Sequence, residues 1–427
     1  MLTVQQALDA VLRETQPLAP ICVNLAEALG LVTAEESVAD VDSPPFDKAL
    51  MDGFAVRSAD LAAGDARLKI IEEITAGMTP SKPVTAGCAT RIMTGAPLPA
   101  GADAVVKIED ARIDADAGSV VIRTDPVETG RHVLLRGSSL KTGQRVLAAG
   151  RLLRPQELGA LAEVGKHRLL VRPRPTVAVL ATGDELVPVD QKPGPGQIRN
   201  SNETLLSAQT ERAGGIPVRL GVARDNRAEL RERIQAGLQC DVLLLSGGVS
   251  EGTRDLVPSE LASIGVRNIF HKINMRPGKP LWFGAWNRSG EADERSGRGP
   301  AYVFGLPGNP VSSLVCFELF VRSCLRRLRG VEPAEPQPVS ARLAAEHVAR
   351  GERPTYNPAR LTWDGGGLSV EAVPWHGSSD LQATVDANAM AVFAGGDATY
   401  SVGDAVDVIL WDGWPQGWES RPWRRNS

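Results

Sequence analysis

Between Pro175 and Arg329 the sequence switches repeatedly between two hydrophobic periods, and no other feature limits the fold as much. Residues 176–181, 216–222, 241–245, 281–286 and 302–304 are short apolar runs of strand length. Residues 200–213, 227–238, 259–264 and 311–329 carry apolar side chains at helical spacing. Strands that alternate with helices predict a parallel sheet covered on both faces, a three-layer α/β domain. Ligands of such sheets sit at the carboxyl ends of the strands.

The chain concentrates its chemistry at those ends. The run ending at Leu245 stops at Ser246-Gly247-Gly248, with Ser250, Thr253 and Asp255 following. Adjacent glycines let the backbone turn tightly and approach a ligand, and an acid beside such a turn can hold a divalent metal. A second strand ends in Thr182-Gly183-Asp184-Glu185. A third runs into Pro307-Gly308-Asn309-Pro310-Val311-Ser312-Ser313, at the start of a helix whose free N–H groups suit an oxyanion. Between them, Asn274-Met275-Arg276-Pro277-Gly278-Lys279-Pro280 offers two cations on a Pro-Gly turn. A single glycine pair is more often a plain turn, and a single charge is more often solvated. Four such loops on one sheet edge point to a phosphate-ester or oxyanion site.

Other templates are absent. Lys279 is followed by Pro280, so there is no Walker phosphate loop, and no dinucleotide fingerprint follows a strand. His132, His167, His271, His347 and His376 lack metal-ligand spacing. The net charge of -4 argues against a nucleic-acid partner held by bulk charge. Five unpatterned cysteines predict a reducing compartment, with Cys316 and Cys324 in the core. With no signal-like segment and no apolar run of membrane-spanning length, the chain is expected to be soluble and cytoplasmic, with no membrane partner.

A length of 427 residues calls for several domains. Residues 1–42 and 141–174 read as a helical linking unit. Thr3 and Gln6 form a capping box before the first helix, residues 25–29 form a second helical patch, and helix returns over 146–165, with Pro155 at the first turn of its main part. Short Gly- and Pro-separated β segments make residues 43–140 an inserted β-rich domain. Residues 175–330 are the α/β domain. Spaced prolines from Pro333 to Pro338 lead to a C-terminal β-rich unit, residues 331–427. Residues 287–300 read as a mobile polar insertion, and the Trp- and Arg-bearing tail as a poorly ordered terminus. The expected class is therefore a multidomain α/β protein: a three-layer parallel α/β sheet domain, small β-rich domains and an N-terminal helical region.

Seven stretches, in order, resemble the molybdopterin molybdenumtransferase family, which includes the C-terminal region of gephyrin. They are Pro44-Pro45-Phe46-Asp47 with Met51-Asp52-Gly53-Phe54-Ala55-Val56; Arg91-Ile92-Met93-Thr94-Gly95-Ala96-Pro97-Leu98-Pro99; Thr182-Gly183-Asp184-Glu185-Leu186; Ser246-Gly247-Gly248-Val249-Ser250; Arg276-Pro277-Gly278-Lys279-Pro280; Gly305-Leu306-Pro307-Gly308-Asn309-Pro310-Val311-Ser312; and Gly377-Ser378-Ser379. The resemblance implies that adenylylated molybdopterin and molybdate give molybdenum cofactor and AMP, with Mg²⁺. It also implies a homodimer with four domains per chain and a site shared across the interface. Asp52, Asp255, Glu185 and Lys279 would be catalytic, with Asp255 and Glu185 on the metal. Thr94, Gly183, Asp184, Ser246, Gly247, Gly248, Ser250, Arg276, Pro307, Gly308, Asn309, Ser312 and Ser379 would bind substrate. Of these, Arg276, Lys279, Ser312 and Ser379 would cradle molybdate.

The chain departs from the family pattern at several points. Gly137-Ser138-Ser139 stands where Gly-Glu-Asp is usual, and Lys48-Ala49-Leu50 where Asn-Ser-Ala is usual. Arg276 stands where Lys is commoner. Pro358 stands where Arg is frequent, and Arg360 is the expected substitute. A molybdopterin adenylyltransferase is an alternative reading and also the candidate hand-over partner. A catalytically weak, gephyrin-like scaffold is the other alternative.

Overall fold

The computed structural model describes residues 1–249, 256–288, 298–363 and 365–411. The site candidates Ser250 and Asp255, the polar stretch 289–297 and the tail 412–427 lie outside the described residues.

Helix α1 (Val4–Glu14) begins where the capping box predicts. Gln6 N–H donates to Thr3 Oγ1 at 3.2 Å, and Thr3 N–H donates to Gln6 Oε1 at 2.9 Å. Its apolar face, Ala7, Leu8, Ala10 and Val11, is buried in one core with Val177, Phe283 and Tyr302. The Tyr302 hydroxyl donates to Glu14 O at 2.9 Å and accepts from Gln16 N–H at 3.0 Å, fastening the end of α1 to the sheet.

The linking region holds more strand than the helical reading expects. Ile21–Asn24, Arg168–Arg172 and Val32–Thr33 form a three-stranded antiparallel sheet, and Arg145–Leu147 pairs with Ser37–Val38. The patch at 25–29 is one 3₁₀ turn, Leu25–Glu27. The later helix is confined to α2 (Pro155–Glu163), with Pro155 in its first turn. An apolar run of three or four residues fits a helical turn or a strand equally well, and partners distant in sequence decide between them.

The inserted region is a six-stranded sheet in the order Ala104–Lys107, Gly53–Val56, Cys88–Ile92, Ala66–Ile74, Ser119–Ile122, Ala111–Asp114. Phe54, Leu61, Leu68 and Ile122 fill its core. Asp42 pins the two chain passages into it. Its carboxylate accepts from Thr142 N–H at 2.9 Å, Thr142 Oγ1 at 2.8 Å and Arg136 Nε at 2.6 Å. These bonds, those from Thr142 foremost, hold its pKa down at about 2.

The α/β sheet contains β1 (Thr176–Thr182), β2 (Ile216–Ala223), β3 (Val242–Ser246), β4 (Arg267–His271), β5 (Trp282–Trp286) and β6 (Ala301–Leu306), in the order β2-β1-β3-β6-β5-β4. The first four in that order are parallel, as the alternation predicts. The sheet as a whole is mixed, because β5 pairs antiparallel with β6, its successor in the chain, and β4 antiparallel with β5. Helices α3 (Ser201–Arg212), α4 (Arg227–Gly237) and α5 (Val257–Ile264) return the chain between strands. The predicted long helix is α6 (Pro310–Cys316) and α7 (Arg322–Leu328), joined by a π-helical turn, Phe317–Val321. That turn carries buried Glu318, which accepts from Arg212 and from Gln209 Nε2 at 2.7 Å on α3, and from Arg322 Nη1 at 2.9 Å.

The C-terminal unit is a closed five-stranded barrel: Val339–Leu343, Leu368–Ala372, Thr355–Trp363, Ala389–Phe393 and Ala405–Leu410. It docks on the α/β unit by backbone bonds. Arg276 N–H donates to Pro354 O at 2.9 Å, and Tyr356 N–H donates to Arg276 O at 2.8 Å. No helix among the described residues is long and apolar enough to cross a membrane.

Candidate active site

Two adjoining cavities open at the carboxyl ends of β1, β3 and β6, and they share a wall of Pro280, Pro307 and Asn309. The larger, about 780 Å³, lies over the three predicted strand-end loops. Thr182, Gly183 and Glu185 come from the end of β1, Ser246, Gly247 and Gly248 from the end of β3, and Gly308 from the loop after β6. Gly247 and Gly248 adopt φ of 96° and 67°, and a Cβ on Gly247 would stand 2.8 Å from Thr182 O. Only glycine makes that turn without strain.

The larger cavity carries acids. Glu185 lines it, and its carboxylate has no partner among the described residues. Asp225, on the loop before α4, lines it as well. Asp184, predicted beside Glu185, turns away from it: its Oδ1 accepts Asp225 N–H at 3.2 Å, bracing that loop. Among the described residues no three His, Cys, Asp or Glu cluster as a complete metal cage. Mg²⁺ does not need one, since it commonly takes one or two carboxylates with substrate phosphates and waters. Glu185 and Asp225 provide hard oxygen donors of that kind.

The smaller cavity, about 350 Å³, lies between the α/β loops and the barrel. Arg276, Lys279 and Ser312 line it from the α/β side; Arg353, Trp375 and Ser378 line it from the barrel side. Among the described residues its lining holds three cations and no acid. Ser312 is buried, and its hydroxyl is unpaired among the described residues. Such a lining suits a small oxyanion, because every charged group facing it is a donor.

Several sequence expectations change here. Ser379 lines the larger cavity, and its neighbour Ser378 takes the place in the smaller one, where its Oγ lies 2.8 Å from Asn309 Nδ2. Arg360 does not stand in for the missing arginine at Pro358. It pairs with Glu371 at 2.8 Å across neighbouring barrel strands and lines neither cavity. Arg353, which sequence reasoning missed, lines the smaller one and donates to Met275 O at 3.1 Å. Asp225, Arg199 and Asn202 were missed at the larger. No local motif marks these residues; they arrive through the topology.

Asp52 and Thr94 sit together at the edge of the inserted β domain, Asp52 just before the strand Gly53–Val56 and Thr94 in the turn after Cys88–Ile92, and line neither cavity of their own chain. Thr94 donates to Asp52 Oδ1 twice, from Oγ1 at 2.6 Å and from N–H at 2.7 Å. These bonds, the hydroxyl first, hold the carboxyl below its usual pKa. Oδ2 has no partner among the described residues.

Comparison with known proteins extends the match beyond the site. The family model described as the MoeA N-terminal region (domain I and II) matches residues 2–165. A probable molybdopterin binding domain matches 178–327, and the MoeA C-terminal region (domain IV) matches 340–411. A molybdopterin molybdenumtransferase of Staphylococcus epidermidis is 33% identical over 414 residues, covering 96% of this chain and 95% of that protein. The chain belongs to the molybdopterin molybdenumtransferase family. The Staphylococcus aureus molybdenumtransferase is 32% identical over 415 residues, covering 95% of each. The crystal structure of a molybdopterin biosynthesis moea protein from Pyrococcus horikosii aligns with a TM-score of 0.80 at 30% identity, over 97% of this chain and 100% of that one. This family makes enzymes of molybdenum cofactor biosynthesis, and the multidomain α/β layout described above is its layout.

Proposed function

We propose that this chain transfers molybdenum from molybdate to adenylylated molybdopterin and releases AMP. One observation carries the reading: an all-cationic cleft and an acidic, glycine-rich cleft share the Pro280, Pro307 and Asn309 wall. An oxyanion in the first lies next to a nucleotide ester in the second, as the reaction requires. Arg276, Lys279 and Arg353 bind the tetrahedral dianion, with Ser312 adding a neutral donor. The Ser246-Gly247-Gly248 turn lets the adenylylated pterin approach the backbone. In the reaction the bond between the AMP phosphorus and the bridging oxygen breaks, a water oxygen adds to that phosphorus, and the bridging oxygen leaves with the pterin phosphate; the two dithiolene thiols replace one oxo ligand of molybdate, which departs as water with their two protons.

Glu185 and Asp225 would hold Mg²⁺; Asp255, the second predicted ligand, lies outside the described residues. When bound, the ion would offset the negative charge of the pyrophosphate. Asp52 serves the site of a second copy in a homodimer. This explains why a carboxylate held ionised by Thr94 lines no cavity of its own chain. The exposed apolar side chains Phe46, Leu50, Met51 and Leu135 flank that segment and give the second copy a surface to cover. A cytoplasmic location fits five free cysteines. The whole-length match favours this reaction over the lone-domain adenylyltransferase.

AMP release from purified adenylylated molybdopterin tests the proposal. Release that needs both molybdate and Mg²⁺, and falls in Lys279→Ala, supports it. Release that is indifferent to molybdate refutes it.

A further inference from the structure

We infer that Asn202 is a positioning residue for oxyanion binding: from the larger cleft it fixes the peptide whose N–H serves the smaller one. The inference rests on the molybdate reading of the smaller cleft. Asn202, in the first turn of α3, is 9% exposed. Its Nδ2 donates twice, to Ser246 Oγ at 2.7 Å and to Gly308 O at 2.8 Å. Its Oδ1 is buried and has no partner among the described residues. An unpaired buried acceptor is a cost to stability, and turning the amide round would set its oxygen against the Gly308 carbonyl, which can only accept. The cost is carried where α3, the end of β3 and the loop after β6 meet.

Peptide geometry supplies the consequence. The Gly308–Asn309 peptide is trans, so its N–H leaves in the direction opposite to its C=O. The carbonyl is turned toward Asn202, and the Asn309 N–H is therefore turned away from it. That N–H has no acceptor among the described residues, and Asn309 belongs to the wall of both cavities. The Asn309 side chain is already committed to Ser378. The free backbone N–H joins the Ser312 hydroxyl as a neutral donor beside the three cations. Among the described residues the Asn202 amide is the hydrogen-bond partner of the Gly308 carbonyl. The Asn202 amide is what stops the plane from rotating and turning a carbonyl oxygen toward the anion.

The experiment compares whole-chain Asn202→Ala and Asn202→Gln with wild type. Molybdate binding is measured by calorimetry, and AMP release is measured with each substrate varied in turn. Each variant is first shown to melt as a folded protein; if Asn202→Ala does not fold, Asn202→Asp, of the same shape but without the donor, takes its place. In Asn202→Ala, Kd and KM for molybdate rise on the order of tenfold, as expected for one lost neutral hydrogen bond. KM for adenylylated molybdopterin rises less, because on that side Asn202 holds only the Ser246 hydroxyl and not the backbone of the Gly247-Gly248 turn. Asn202→Gln, which retains an amide donor, recovers part of the affinity. An unchanged molybdate Kd, or equal rises for both substrates, overturns the inference and leaves the proposed reaction standing. A wild-type chain that binds no molybdate overturns the proposed reaction and this inference together.

Discussion

Replacing Gly278 with alanine should damage the oxyanion cleft through backbone and packing alone, without removing any charged group. Gly278 lies between Arg276 and Lys279 with φ at 107°. A side chain in such a conformation costs about 1–3 kcal/mol. The new Cβ would stand 2.5 Å from Cys316 Sγ and 3.2 Å from Met275 Cε, and both residues are fully buried. Overpacking of that kind adds about 1–3 kcal/mol, so the local penalty is about 2–6 kcal/mol. Cys316 ends α6 within the main core and has little room to retreat. The loop itself therefore shifts, carrying both cations off their positions. The melting transition of the α/β unit and the molybdate Kd are the two readouts; a single unfolding free energy is ill-defined for a chain of several domains. Both should worsen in Gly278→Ala. Cys316→Ala in that background should recover part of each loss, a non-additivity expected of two groups in contact. Wild-type behaviour in Gly278→Ala, or no recovery in the double variant, refutes the reasoning.

Other outcomes follow from the same geometry. Arg353→Ala should weaken molybdate binding on the order of tenfold or more, since charge-assisted bonds exceed neutral ones. Arg360→Ala should leave binding unchanged, because it removes only a half-exposed pair with Glu371; calorimetry separates the two. Thr94→Val removes the stronger of the bonds that hold the Asp52 carboxyl below its usual range. Asp52 then takes up its proton at higher pH, and the acid limb of the activity profile moves upward. The stability that this depressed carboxyl contributes is present above the ordinary carboxyl range and is lost as pH falls through its depressed value, so it shrinks in the variant. Mixing inactive Asp52→Ala and Lys279→Ala chains under subunit exchange should restore roughly a quarter of wild-type activity, since half the dimers carry one intact site. No recovery despite proven exchange would confine Asp52 to its own chain.

The sequence was most legible where one local pattern decides the outcome. Apolar runs bounded by Gly and Pro marked β1, β2, β3, β5 and β6, and Thr3 with Gln6 marked the start of α1. The strand-end motifs could be grouped because parallel strands put their carboxyl ends on one edge. It was least legible where distant segments meet. Strand β4 is five residues at a sheet edge, with Ile269 and Phe270 as its only aliphatic or aromatic hydrophobics. Whether residues 21–33 turn as helix or pair as strands depends on Arg168–Arg172, far along the chain. Arg353 reaches the oxyanion cleft only because Pro354 and Tyr356 bond to the Arg276 backbone. Arg360 looked equally suitable in sequence, yet its strand turns it toward Glu371. Asn202 follows the helix cap Asn200, and nothing in its spacing reveals that its amide reaches Ser246 and Gly308.

The most direct test is the anomalous scattering of molybdenum in crystals of the chain grown or soaked with molybdate. The account predicts one strong peak in the smaller cleft, within hydrogen-bonding reach of Arg276, Lys279, Arg353 and Ser312, lost in crystals of Lys279→Ala. A molybdenum peak beside Glu185 in the larger cleft, or an empty smaller cleft at saturating molybdate, would contradict it.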